Sequence, residues 1–132
     1  MEPAYQYSAE PVRVVDGDTI DVILDFGFSL KQKMRLRLSG IDTPELNSKD
    51  EKERAKAQEA KNFVMDLLFS DDGDPGDPCP VELVVKTIKT KAGVERQTFG
   101  RYVAEVYVEE EEGWVSLNEM LVKEGLAVVS KG

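Results

Sequence analysis

Hydrophobic and polar positions along this chain change period several times, and each change marks an element. From Pro11 to Phe26, "PVRVVDGDTIDVILDF" sets β-branched apolar residues among polar ones on both sides of Asp16-Gly17. Alternation interrupted by Asp-Gly predicts a β-hairpin. Residues 1–9 carry no such pattern and are expected to form a loose arm. In "LKQKMRLRL", Leu30, Met34, Leu36 and Leu38 oppose Lys31, Lys33, Arg35 and Arg37. That predicts a strand with one wet face, Gln32 interrupting its apolar side. The period then lengthens. Ala60, Phe63, Val64, Leu67 and Leu68 recur at helical spacing, and Ser48 with Glu51 has capping-box spacing, so a helix is expected to start there. "SDDGDPGDPCP" ends it. "VELVVKTIK" and "GRYVAEVYVE" predict two more strands, with "TKAGVERQ" as a flexible hairpin tip between them. "SLNEMLVKEG" predicts a second helix, boxed by Ser116 and Glu119 and stopped by Gly125, and "LAVVS" a short closing strand.

No internal repeat or linker divides the chain, so residues 1–132 are expected to form a single domain. Short polar-faced strands with two helices predict a mainly β, α+β fold built on a small curled sheet. Periodicity alone leaves a closed barrel and an open sheet equally admissible.

Composition narrows the chemistry. The chain has no histidine, which excludes Ser-His and Cys-His nucleophiles, histidine bases and His-ligated zinc. Its single cysteine, Cys79, excludes an intrachain disulfide and, without a histidine beside it, reads as an incidental thiol. Acid–base or metal chemistry must therefore come from Asp and Glu. No apolar run is long enough to span a bilayer and no signal-peptide pattern opens the chain, so a cytoplasmic location is expected, or a secreted one if a leader has been removed. The net charge of −9 argues against a broad electrostatic footprint for nucleic acid, but not against a small site where a cation and a few arginines reverse the sign.

The densest chemistry lies in "RLRLSGIDTPE", where two arginines precede Asp42, Thr43, Pro44 and Glu45. Asp18 follows the first hairpin turn and Asp42 follows the arginine strand. If those strands are neighbours, both carboxylates can reach one hard cation, calcium or magnesium. Thr43, held extended by Pro44, can add its main-chain carbonyl. Glu45 can take a proton from a water or orient it. Arg37 offers a planar fork to two phosphate oxygens, and Arg101, after Gly100, a second fork. Together they supply a placed water, charge neutralisation and help for a leaving oxygen, the needs of phosphodiester hydrolysis.

With "VVDGDTID", "RLRLSGIDTPE", "TFGR" and "LNEMLVKEGLA" in this order and at these spacings, the chain resembles the staphylococcal nuclease (thermonuclease) family over nearly its whole length. The resemblance implies a five-stranded OB-fold Greek-key barrel with two main helices packed on it. It also implies calcium-dependent cleavage of DNA and RNA leaving 3′-phosphates, by a monomer without membrane attachment, with single-stranded DNA or RNA as the preferred partner. By position, Asp18 and Asp42 correspond to the calcium carboxylates, Thr43 to the carbonyl ligand, Glu45 to the residue drawn as general base, and Arg37 and Arg101 to the phosphate-binding arginines. Phe99 and Arg35 are the further positions expected at the substrate, although Arg35 taken alone reads as an exposed basic edge.

The chain departs from the family where substrate is gripped. It is acidic where the best-known members are basic. Phe99 and Thr98 stand where a tyrosine and a lysine are familiar, and Lys131 where the first nucleotide-contacting tyrosine would be. The expectation is retained chemistry with altered affinity. The competing reading is a catalytically silent OB module that binds nucleic acid or a protein. Asp16 reads as a turn residue, "DDGDPGD" as a solvated loop lacking the EF-hand pattern, "EEEEG" as a charged hairpin tip away from the site, and Trp114 as a core or rim anchor.

Overall fold

The computed structural model of the chain describes residues 5–70, 79–87, 89–90, 93–94, 96–97 and 101–129. Five strands make the frame: β1 (Gln6–Asp16), β2 (Thr19–Asp25), β3 (Lys31–Leu38), β4 (Leu83–Thr87) and β5 (Arg101–Glu110). Helix α1 (Glu51–Leu68) lies between β3 and β4, and helix α2 (Leu117–Lys123) follows β5. β1, β2 and β3 form an antiparallel meander. β3 then pairs in parallel with β5, β5 antiparallel with β4, and β4 antiparallel with β1. The ring is closed, which decides for the OB-type barrel over the open sheet.

Alternation along the strands fills the interior. Ile20, Val22 and Leu24 of β2, Leu36 and Leu38 of β3, Leu83 and Val85 of β4, and Val106 and Val108 of β5 are buried in one cluster. Val64 and Leu68 of α1 and Leu117 and Leu121 of α2 complete it. The predicted stripe of α1 is the face that packs, with Ala57 added to its buried side.

Four expectations need correction. The arm is shorter than residues 1–9: β1 begins at Gln6 and pairs Tyr7 with Val85 and Ala9 with Leu83, while Tyr7 meets Phe26 edge-on at 5.1 Å. The polar residues between Tyr7, Ala9 and Pro11 are the wet face of a strand, a weak alternation without β-branched residues to mark it. Alternation within β1 also breaks at Val12–Arg13, where the pairing shifts register, because a bulge puts two successive residues on one face. Helix α1 is capped by Asp50, whose side chain accepts the Lys52 N–H at 3.0 Å. Ser48 instead accepts the Asp50 N–H and donates to Glu53 at 2.8 Å, so it braces the approach to the helix rather than capping it. Leu30 does not face the core. It is 61% exposed beside the turn at Gly27–Ser29, where the hairpin projects past the barrel end.

The second capping box forms as expected, with Ser116 accepting the Glu119 N–H. Gly125 at φ +76° lets Leu126 and Ala127 turn back to donate to the Leu121 carbonyl. The chain then pairs Val128–Val129 with Ile41–Asp42. The acidic tip forms the turn after β5, and Trp114 beyond it is half exposed, on the rim rather than in the core. "DDGDPGD" lies outside the described residues, as do Lys91, Ala92 and Glu95 of "TKAGVERQ", where Lys89–Thr90 pairs antiparallel with Gly93–Val94 as expected of a hairpin tip. Among the described residues, no helix is long and apolar enough to cross a membrane.

One buried polar side chain ties these parts together. Asn118 of α2 donates to the Ser39 carbonyl at 2.7 Å and accepts the Val106 N–H at 3.3 Å, joining the turn after β3 to β5. Replacing it leaves buried main-chain groups unpaired. Asn118→Ala is expected to lower the unfolding free energy by about 1–3 kcal/mol, read from urea melts, with Asn118→Leu no better.

Candidate active-site cleft

The first hairpin turn and the end of β3 are stitched together at one rim of the barrel. Thr19 pairs with Arg37 across the β2–β3 ladder, and the Leu38 N–H donates to the Asp18 carbonyl at 2.8 Å. Asp18 and Arg37 therefore share the same corner. The chain turns at Ser39–Gly40 and runs through the short strand Ile41–Asp42, which Val128–Val129 holds in place. It re-enters the corner as Thr43–Asn47. The result is an open cleft of about 540 Å³ lined by Asp16, Asp18, Arg37, Thr43, Pro44 and Glu45, among others.

Within it, Arg37 is the hub. Its Nη2 lies 3.5 Å from Asp18 Oδ2 and hydrogen-bonds Asp42 Oδ1. Its Nη1 donates to the carbonyls of Ile41 at 3.1 Å and Leu38 at 3.3 Å. The two carboxylates expected to converge thus meet on one guanidinium nitrogen. Asp18 is nearly buried and further held by the Thr43 N–H at 3.3 Å and the Thr19 hydroxyl at 3.1 Å. Asp42 is half exposed.

Asp16 is the residue that sequence reasoning missed. Its Oδ1 accepts the Asp18 N–H at 3.0 Å, as a turn residue should, but its carboxyl also lines the cleft. Burial pushes it up to about 6, reinforced by a hydrogen bond and repulsion from Asp18. Burial acts on Asp18 in the same direction. There the hydrogen bond from Asp16, the Arg37 charge and the Thr43 N–H outweigh it, and Asp18 is held below the usual carboxylate range. The spacing of "DGD" was the available signal, but it is also ordinary turn chemistry.

The donor set suits a hard cation. Among the described residues no three His, Cys, Asp or Glu side chains form a ready cage. Asp18 and Asp42 are two carboxylates, and Thr43 beside them brings a main-chain oxygen. Such a set leaves most of a calcium or magnesium shell to water and to substrate oxygens. Paired acids that already draw on an arginine and on each other's proton are a place where positive charge is favoured.

The remaining predicted residues are distributed as follows. Glu45 is exposed on the cleft wall, with its carbonyl accepting the Ser48 N–H at 3.3 Å. The backbone of Arg101 opens β5 two residues before Val103, the parallel partner of Arg37. Phe99 lies outside the described residues. Arg35 does not line the cleft. It forks onto Asp21, Nε to Oδ1 at 2.8 Å and Nη2 to Oδ2 at 3.2 Å.

Comparison with known proteins identifies the family. The family model described as "Staphylococcal nuclease homologue" matches residues 35–131, well over half of the chain. The first hairpin, with Asp16 and Asp18, precedes the matched span and joins the site through the fold. A curated relative, "Protein ParB" of Escherichia coli, is 38% identical over 68 residues, which is 51% of this chain and 32% of that protein. The aligned stretch thus spans about a third of the relative's own length.

Gly17 sets the fit of the corner. A Cβ there would stand 2.8 Å from Ala60 Cβ and 3.0 Å from Thr43 Cγ2. Gly17→Ala is expected to cost about 1–3 kcal/mol by overpacking. Combined with Ala60→Gly it should cost less than the sum of the two, because the second change removes the clash. A double-mutant cycle from urea melts checks this. Asp21 gives a pH test. The Arg35 hydrogen bonds, outweighing burial, hold it below its usual range, with the charges of Arg35, Lys33 and Arg13 adding to the effect. A depressed carboxylate stabilises the fold above its unfolded value, near pH 4, and loses that contribution as pH falls through the folded value. Asp21→Asn is therefore expected to be less stable than the parent by about 1 kcal/mol at neutral pH, the gap closing in acid melts below about pH 4.

Proposed function

As the chain belongs to the staphylococcal nuclease homologue family, we propose that it is a calcium-dependent nuclease. On this reading it hydrolyses phosphodiester bonds of DNA and RNA with little sequence preference and leaves 3′-phosphates. The observation that carries the reading is Arg37 set between Asp18 and Asp42 at an open cleft that Glu45 also lines.

The roles follow from that geometry. Arg37 presents its guanidinium to the non-bridging oxygens of a phosphodiester seated in the cleft, exchanging its bond to exposed Asp42 for bonds to phosphate. The Leu38 and Ile41 carbonyls keep its plane fixed while it does so. Glu45, reached by solvent, orients the attacking water and takes its proton. Water oxygen bonds to phosphorus, the P–O5′ bond breaks, and the departing 5′-oxygen takes up a proton, so the elements of water are divided between the products. Arg101 is assigned to the developing charge on the phosphoryl group. Asp18, Asp42 and the Thr43 carbonyl would hold the calcium ion. A bound divalent ion supplies charge neutralisation of the phosphoryl oxygens. The monomeric state and a preference for single strands belong to the same proposal, since an open cleft at a barrel rim admits an unpaired strand more readily than a duplex.

A second reading, a silent binding module, is favoured by one observation. Arg37 already satisfies both its terminal nitrogens inside the protein, in a chain of net charge −9.

Cleavage of a labelled single-stranded oligonucleotide, with calcium or with chelator, decides between them. Chelation is expected to stop cleavage, and Asp18→Ala and Arg37→Ala each to slow it by about a hundredfold or more. Cleavage that survives both chelator and substitution overturns the assignment. Binding without turnover in any divalent ion establishes the silent module instead.

A further inference from the structure

A second cleft, of about 570 Å³, adjoins the first. The two share Thr43 and Pro44, and the Arg37–Asp42 contact stands where they meet. Its size falls within the usual range for small-ligand sites. Its lining divides by chemistry. Pro44, Leu126, Ala127 and Val128 give an apolar floor, with Val128 66% exposed. Lys52 and Lys56 stand one turn apart on α1, side by side on the same wall.

Three acids also line this cleft, and each is already engaged. Asp50 caps α1, Glu53 accepts the Ser48 hydroxyl, and Asp42 is bonded to Arg37. Neither lysine has a carboxylate within 4.0 Å among the described residues. In a chain of net charge −9, two lysines one helical turn apart thus stand beside exposed apolar surface. Cations beside an apolar floor match one occupant, a phosphate-linked nucleotide, whose charge and flat faces are offered together.

We propose that this second cleft is a substrate subsite, in which Lys52 and Lys56 hold the phosphate and Pro44, Leu126 and Val128 the base and sugar of the nucleotide flanking the scissile bond. The inference rests on the nuclease reading for the identity of the neighbouring cleft. It assigns affinity to residues that take no part in the chemistry. Part of the grip given up where Thr98 and Lys131 stand in place of the family's lysine and tyrosine is thereby supplied from the α1 side.

Binding measured without turnover separates the two proposals. Fluorescence anisotropy of a labelled single-stranded oligodeoxynucleotide, in chelator at low salt, is expected to show the Lys52→Ala/Lys56→Ala protein binding about tenfold more weakly than the parent, one decade for the two lost phosphate contacts. The slope of log affinity against log salt should fall by about 1.4, the loss expected for two contacts on a single strand. Lys86→Ala/Lys123→Ala, which changes net charge equally but lies on neither cleft, should leave that slope near the parent's. Val128→Ser should weaken the intact oligonucleotide but not an abasic strand of equal length. The subsite is overturned if the two lysine pairs behave alike, if the parent does not bind the strand, or if polyglutamate displaces the strand as well as unlabelled oligonucleotide does. None of these outcomes depends on cleavage, so loss of the nuclease reading and loss of the subsite remain distinguishable.

Discussion

A sheet this small can keep one face dry only by closing on itself, and the parallel contact of β3 with β5 is what closes it. The antiparallel hairpins form from neighbouring sequence. The parallel pair joins segments separated by the whole of α1 and β4. Once it forms, the interior side chains of all five strands share one cluster, and both helices have a surface to cover. The same contact fixes where the wet residues go. Arg37 is drawn beside Val103, and the chain that leaves β3 must turn sharply at Ser39–Gly40, which returns Asp42 and Thr43 to the first hairpin.

The cleft is thus a by-product of barrel closure, and its electrostatics are costly without a compensating charge. Asp16 and Asp18 are brought out of water side by side, and burial alone would favour protonating both. Asp18 stays low because a hydrogen bond from Asp16, the Arg37 charge and the Thr43 and Thr19 donors outweigh burial, while Asp16 rises. A fold selected for stability alone has little use for such a cluster, since apolar residues would fill the corner at less cost. Its persistence at an open cleft is the arrangement expected where positive charge and phosphate are to be bound.

The acidity of the chain then becomes a matter of placement. The acidic tip at Glu109–Glu112 lies at the opposite end of β5 from Arg101, about 30 Å away along an extended ten-residue strand. Beside the second cleft, Asp42 pairs with Arg37, while Asp50 and Glu53 are held by neutral donors and Lys52 and Lys56 stand on α1. Local field, rather than net charge, governs how a strand is steered into a site.

Much of the fold was legible along the chain. The hairpin at Asp16-Gly17, the wet face of β3, the stripe of α1 and the Ser116 cap are short-range features, set by side-chain period and by hydrogen bonds between near neighbours. The failures were also local in origin. The bulge at Val12–Arg13 and the Asp50 cap each turn on a shift of one or two residues that composition does not mark, and β1 starts where its apolar residues are too small to announce a strand. Asp18, Arg37, Asp42 and Glu45 could be picked out from residue types at motif spacing, and the fold brings them to one corner. Tertiary structure alone decided that the ring closes, that one guanidinium spans both carboxylates, that Asp16 enters the cleft, and that Lys52 and Lys56 face Val128 from the far end of the chain. Those placements depend on contacts between segments remote in sequence, whose free energy comes from burying the whole barrel at once, and no local pattern carries a record of them.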